Sequence, residues 1–287
     1  MEITEHANTS RPGGSVLIRS GDVTQFTEID LTPDAGFFVD FMDVVHTQPD
    51  RQRLKGDIAD RLNVSPGDRV LDVGCGTGND ARMLASLVGP TGQVTGIDVS
   101  KTMIDVAQER SRASSLPVSF ALGDARSLDF SNNAFDACRC ETVLMHLDGA
   151  PACAIAEMAR VTRPEGRVVV ADFYWDAMVI DHPARSRTRK VIQTACDAIR
   201  HGWIGGQLPR LMADAGLINL GVEGFTLRFT HEMVRGLLKG PLAGARQQDR
   251  LDAIDIAQWW RPLDDAEIHG QFLATMLMFI VTGTVAT

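Results

Sequence analysis

Basic residues are scarce in this chain, and what little basic character it has is scattered. It holds 28 Lys and Arg against 37 Asp and Glu, a net charge of −9, and no block of five or more basic residues, which argues against a nucleic-acid substrate. The one basic cluster, Arg185, Arg187, Arg189 and Lys190, has the spacing of a solvated helix face. Long apolar runs are also missing: Phe272 to Val281 is too short to span a bilayer, which needs about 18 residues or more. The first residues include Glu2 and Glu5 and no apolar segment, so a secretory leader is not expected and a cytoplasmic location is. Cysteine is sparse and odd in number, five in all, which fits a reducing compartment rather than a disulfide framework. Cys138 and Cys140 alternate on one predicted strand, about 7 Å apart, too far for a good disulfide. Together with Cys153 and Cys196 they read as small apolar fillers. No Cys and His spacing suits a metal, so none is expected. No internal repeat or low-complexity segment occurs. At 287 residues and 44% apolar content the chain can bury a large core, as one domain with insertions or as two small ones.

What is present is a glycine turn in a particular setting. Val70-Leu71-Asp72-Val73 reads as a buried strand that runs into Gly74-Cys75-Gly76-Thr77-Gly78, and Asp98 closes the next apolar strand. Glycines let a backbone approach a ligand, and an acid at the end of the second strand is placed to accept from two ribose hydroxyls. This is the pattern of an adenosine-cofactor site. Counted from Gly74, the dinucleotide fingerprint fails at Asn79; counted from Gly76 it passes as a Gly-x-Gly-x-x-Ala variant ending at Ala81. The second frame requires the strand to continue through Gly74 and Cys75, which is poor strand chemistry. Asp72 and Asp80 also bracket the turn with negative charge, which suits a cationic sulfonium with an amino group better than a pyrophosphate.

At these residues the chain resembles the class I S-adenosyl-L-methionine (SAM) methyltransferases. Asp72 to Gly78 is similar to their first motif, and Asp98 matches their ribose acid. Gly123-Asp124-Ala125 matches the segment at the adenine edge, Phe135-Asp136-Ala137 the start of the fourth strand, and Arg160 to Val170 the entry to the fifth. The similarity covers about residues 54 to 175 in order and register, within the small-molecule branch related to ubiquinone and menaquinone biosynthesis. Gly202 to Leu211 and Leu217 are similar to bacterial enzymes of secondary metabolism. Glu165 departs from the pattern, where the family usually has Gly. Pro164-Glu165 predicts a type I turn rather than type II, since Glu resists positive φ.

Periodicity agrees with the fold so implied: α/β, a doubly wound, mostly parallel seven-stranded sheet with helical cap insertions. Strands are predicted near 69–73, 93–98, 117–121, 135–140 and 167–173, alternating with helices that carry Ala81, Leu84, Ala85 and Val88, then Met103, Ile104 and Ala107 behind Ser100 as N-cap, then Ile155, Met158 and Ala159. Residues 1–33 read as a loose arm, 34–63 as N-terminal helices, 64–175 as the SAM-binding core, and 176–287 as cap helices plus the last two strands. The helix with Phe37, Phe38, Phe41 and Met42 is either core packing or a lid, with Phe38 as a substrate contact in the second case.

The resemblance implies SAM as donor and S-adenosyl-L-homocysteine as product. Gly74, Cys75, Gly76 and Gly78 would admit the donor, Asp98 would take the ribose, Val99 and Met103 would pack on adenine, and Asp124 and Ala125 would hold its edge. Met103 can equally be core. Glu141 or Thr142 would meet the methionine amino group, and Arg53 is either an exposed helical residue or a partner of the methionine carboxylate. On the acceptor side, His146 is a candidate base or a pocket wall, Asp172 a base or a structural acceptor, and Tyr174 and Trp175 candidate stacking contacts. The implied acceptor is an apolar small molecule, methylated at O or C rather than N. Self-association is open. Two other readings remain: a nicotinamide-dependent oxidoreductase on a similar fold, and a SAM-binding protein that does not methylate.

Overall fold

The structure, a computed structural model, describes residues 22–287, and the counts below refer to them. The first part of the expected loose arm therefore lies outside the described residues. Strands β1 (Arg69–Val73), β2 (Gln93–Asp98), β3 (Val118–Leu122), β4 (Phe135–Glu141) and β5 (Thr162–Phe173) are parallel in the order β3-β2-β1-β4-β5. β8 (Ala274–Val285) lies antiparallel to β5, and β7 (Leu217–Phe229) pairs with β8. The two-residue β6 (Val179–Ile180) continues the line of β5 along β8 and makes an eighth strand beyond the seven expected. Helices α3 (Asn79–Val88), α4 (Lys101–Ser111) and α5 (Pro151–Val161) make the crossovers. Chain order reverses between β1 and β4, and ligands of open parallel sheets sit outside the carboxyl ends of the strands at such a point.

Local chemistry explains the elements that frame this crevice. Ser100 Oγ accepts from the Met103 N–H at 3.3 Å and starts α4. In α1 (Ala35–His46), Asp34 caps the Phe37 N–H, and Phe37, Phe38, Phe41 and Val45 are buried. Pro49 opens α2 (Pro49–Leu62), whose buried stripe is Arg51, Leu54, Lys55, Ile58, Ala59 and Leu62. The later helices are α6 (Arg185–Ala198), α7 (Ile204–Asp214), α8 (His231–Gln247) and α9 (Ala253–Ile268).

Three expectations need correction. Residues 22–31 are not a loose arm: they form two helical turns, Val23–Gln25 and Ile29–Leu31, with Val23 and Ile29 buried. Asp30 ties this strap to the start of α4, accepting from the Lys101 N–H at 2.7 Å and the Thr102 N–H at 3.0 Å. Glu165 adopts φ 64°, so the Pro164-Glu165 stretch inside β5 is not the type I form; it is a register irregularity against β4, and the pairing of Thr162 with Phe135 and Arg167 with Ala137 on either side holds it against a left-handed cost of about 1–2 kcal/mol. Cys153 is exposed rather than a filler; Cys138, Cys140 and Cys196 are buried.

Candidate functional site

A cleft of about 380 Å³ opens at the carboxyl ends of the strands, within the range of small-molecule sites. β1 ends at Val73, so the strand does not extend into Gly74 and Cys75. The Gly74 and Cys75 N–H groups both donate to the Ile97 carbonyl, at 2.8 and 2.9 Å, which folds the turn back onto β2. Gly74 sits at φ 73°, and a Cβ there would lie 2.2 Å from Val143 Cγ2, so only glycine fits. Gly74, Cys75 and Gly76 line the cleft. Gly78 does not: it caps α3 at φ 74° with Phe120 where a side chain would be.

Asp98 is the fixed point of this half. Its Oδ2 accepts from the Gly76 N–H and its Oδ1 from the Ser100 N–H, both at 2.9 Å. Burial pushes its carboxyl above the usual range, opposed by these backbone donors. Val99 and Met103 line the cleft beside it, Val99 58% exposed and Met103 buried, and so give a flat ligand an apolar face. Ala125 and Asp124 follow. The Asp124 carboxylate is held by Arg126, Nη2 to Oδ2 at 2.7 Å, so an adenine edge would share it with a guanidinium.

Charges below the turn are arranged differently from the sequence expectation. Asp72 and Asp80 do not offer free negative charge: Arg139, rising from the middle of β4, bonds Asp72 Oδ1 at 2.9 Å and Asp80 Oδ2 at 3.1 Å. Lys55 takes Asp80 Oδ1 at 2.6 Å. Burial raises Asp80, but Arg139 and Lys55 outweigh it and hold the group at about 2. Burial dominates at Asp72 and pushes it up to about 6. Glu141 is bound by Arg139 Nη2 at 2.5 Å and Arg51 Nη1 at 3.0 Å. Arg53 is exposed and pairs with Asp50; of the α2 cations, Arg51 and Lys55 line the cleft. Sequence reasoning missed both, although Arg51, Leu54, Lys55 and Ile58 have the spacing of one buried helical stripe. Arg139 was also legible in principle, as a charge set between the two cysteines of a strand otherwise read as buried.

On the far side of the cleft, His146 stands on the helical turn Leu144–His146. Its half-buried ring lies 5.1 Å from the Phe26 ring. Burial, with the positive Arg200 nearby, pushes His146 down to about 4, so it is neutral at pH 7. Asp172 is not on the cleft surface. It is fully buried and accepts from the Met145 N–H at 3.1 Å and the Phe173 N–H at 2.9 Å. Burial raises it to about 7 against those donors, and its position makes it the anchor of the turn that presents His146. Trp175 lines the cleft with Phe173, Phe229, Leu237 and Met276, and its indole N–H points at Met145 Sδ, 3.3 Å away. Tyr174 faces away, against Phe279 and over Gly206. Phe38 lies one layer behind the cleft, edge-on to Phe26 at 5.0 Å, and Phe26, Phe41 and Met42 are the aromatic and Met residues of this corner that reach it. Phe26 was missed because the strap shows no periodicity.

Among the described residues no group of three or more His, Cys, Asp or Glu is gathered to hold a metal ion, and no helix is long and apolar enough to cross a membrane.

Comparison with known proteins supplies the last observation. A family model described as "Methyltransferase domain" matches residues 64–216, just over half of the chain. Methyltransferase GfsG of Streptomyces halstedii is 40% identical over 123 residues, covering 42% of this chain and 43% of that one. The ubiquinone/menaquinone biosynthesis C-methyltransferase UbiE of Burkholderia cenocepacia is 37% identical over 120 residues, covering 41% and 49%. The chain thus spans about half the length of the curated relatives it matches. The YcgJ protein of a Bacillus species superposes with a TM-score of 0.58 at 19% identity, over 82% of this chain and 99% of that one, a likeness of fold.

Proposed function

The chain belongs to the methyltransferase-domain family, and we propose that it transfers a methyl group from SAM to an apolar small molecule, at oxygen or carbon. The observation that carries this reading is the turn at the end of β1: Gly76 is bonded to Asp98 at 2.9 Å, and an apolar shelf of Val99, Met103 and Ala125 continues from it. The residues fit the donor. The shelf suits adenine, Asp98 suits two ribose hydroxyls, and Arg51 beside Glu141 suits the carboxylate and ammonium of an amino acid. Bound there, SAM supplies an electrophilic methyl group on a good leaving group.

The chain's own task is then alignment, exclusion of water and, for a hydroxyl or acidic carbon acceptor, removal of a proton. Phe26, Phe173, Trp175, Phe229 and Met276 make an apolar chamber on the side of the cleft away from the turn. His146 borders that chamber as a neutral imidazole and is its candidate base, and the burial that keeps it neutral also makes it a weak one. Relatives named as O- and C-methyltransferases support a small-molecule acceptor. The frame that would suit a nicotinamide cofactor needs β1 to run past Val73, and it does not.

Calorimetric titration with S-adenosyl-L-homocysteine, with NAD as control, tests the donor. Micromolar binding of the homocysteine compound alone is expected; binding of NAD alone would overturn the reading. A product search with isotopically labelled SAM then separates methyl transfer from mere donor binding.

A further inference from the structure

Beneath the glycine turn the charges form one continuous chain of alternating sign. Lys55 meets Asp80 at 2.6 Å, Asp80 meets Arg139 at 3.1 Å, Arg139 meets Glu141 at 2.5 Å, and Glu141 meets Arg51 at 3.0 Å. Asp72 joins from the side at 2.9 Å. Three cations balance three acids, and all are buried or nearly so. Such a cluster is weak evidence for stability, because desolvating each ion costs several kcal/mol and an apolar side chain of similar volume would pack β4 as well. Its ends are informative. Arg51, Lys55, Asp80, Arg139 and Glu141 all border the cleft, while Asp72 does not. Arg139 alone touches three of the acids.

We propose that Arg139 is a positioning residue: it sets Glu141, and through Glu141 the Arg51 guanidinium, to receive the zwitterionic amino-acid end of the donor. This rests on the donor reading above. An α-amino acid presents a cation and an anion a few ångströms apart, and the alternating chain presents the complementary pair at a similar spacing. Both Nη atoms of Arg139 are committed to carboxylates, so the pair is held before any ligand arrives. Burial opposes the charge on Arg139, and the surrounding carboxylates outweigh it and keep it protonated. A lysine at 139 would keep the charge but lose the planar fork that bridges three acids.

The test compares two ligands that differ only at that end: S-adenosyl-L-homocysteine and 5′-methylthioadenosine, the same nucleoside thioether without the amino-acid end. In the unaltered protein the homocysteine compound should bind more tightly. Arg139→Lys should weaken it roughly 30-fold, the cost of disturbing one buried charge partner, and leave methylthioadenosine within about twofold. A uniformly weakened site would respond equally to both ligands. Equal losses, or no loss, would overturn the proposal. If Arg139 variants do not fold, Glu141→Gln keeps the shape and removes the charge; it should give the same split, and an unchanged ratio of the two affinities would overturn the proposal. If the unaltered protein binds both ligands equally, the positioning role fails and the donor reading stands. If it binds neither, both fail.

Discussion

The two halves of the cleft are built by different means. The half at the ends of β1, β2 and β3 is made by main chain: the Gly74 and Cys75 N–H groups on Ile97, the Gly76 N–H on Asp98, the Ser100 N–H on the same acid. None of these contacts reaches beyond one strand–helix unit. The half at the ends of β4, β5, β7 and β8 is made by side chains from segments far apart in sequence, Phe26, His146, Trp175, Phe229, Leu237 and Met276. There His146 touches Phe26 through ring contact. A site held by backbone hydrogen bonds tolerates little change of ligand. A site walled by side chains changes shape with each substitution while the sheet stays the same. On the function proposed above, that difference suits a constant donor and a replaceable acceptor.

The acceptor half breaks most visibly at His146. If it accepts the acceptor's proton, His146→Ala should cut turnover roughly 100-fold or more, while affinity for S-adenosyl-L-homocysteine stays within about twofold. A rate loss under about tenfold would remove it as a base. Its protonation can be checked without any acceptor. Burial lowers the folded group to about 4 from its ordinary 6.5, so the unfolded chain binds more protons between those values. Its contribution to stability is therefore complete above pH 6.5 and is lost as pH falls towards 4. An NMR titration of the ring should show a midpoint near 4; one near 6.5 would place the ring in water and break the comparison from this side.

The donor half breaks at Asp98. Asp98→Ala removes the proposed acceptor for the ribose hydroxyls and also frees the Gly76 and Ser100 N–H groups. Loss of charge-assisted hydrogen bonds should cost about 1.5–3 kcal/mol of donor binding, read by calorimetry with S-adenosyl-L-homocysteine. Asp98→Asn retains an acceptor and should cost less. Unchanged affinity in the alanine variant would mean that the turn holds its ligand without the acid.

The same contrast decides what could be read from the sequence. The ends of β1 and β2 were legible because each is a local pattern: an apolar strand, a turn that needs glycine, an acid, an N-cap at Ser100. The last strand was legible as an apolar run, and its antiparallel direction only through the family resemblance. The chamber was not, because adjacency there is decided by packing between distant segments. Phe38 carries the stronger helical pattern, yet it lies behind Phe26, which has no pattern at all. Tyr174 and Trp175 are neighbours in sequence and point to opposite sides, since Trp175 begins a helical turn and Tyr174 precedes it. Asp172 follows the strand inward, where two N–H groups of the His146 turn claim it. Arg139 and Asp72 show the limit for charge: sequence displays each sign, and only the register of β1 with β4, which pairs Asp72 with Arg139, shows that they cancel.

Phe26 tests whether the strap belongs to the chamber. Its ring contacts His146, Phe38 and Phe41. Phe26→Ala should raise the KM for an apolar acceptor by roughly 2- to 12-fold, the range of about 0.5–1.5 kcal/mol for lost aromatic contacts, with donor affinity unchanged. The His146 midpoint should also move up from about 4 towards the free value as water reaches the ring. Equal effects on donor and acceptor would show that the strap closes both halves and that they are not independent.

The smallest effect should come from Tyr174, the chain's single tyrosine. Its ring is half-buried on the outer side of β5, 6.2 Å from Phe279 and packed over Gly206 at 3.1 Å from where a Cβ would sit. Tyr174→Phe keeps both contacts and removes only a hydroxyl that does not reach the cleft. Stability should change by less than about 0.5 kcal/mol, and KM for the acceptor and affinity for the donor should stay within about twofold. Trp175→Phe, one residue on, alters a wall of the chamber and its contact with Met145, so the two adjacent variants should diverge in acceptor KM. If Tyr174→Phe moved acceptor KM as much as Trp175→Phe, the cap beyond β5 would have to rearrange when acceptor binds, and the chamber's wall would include a face that this closed arrangement turns outward.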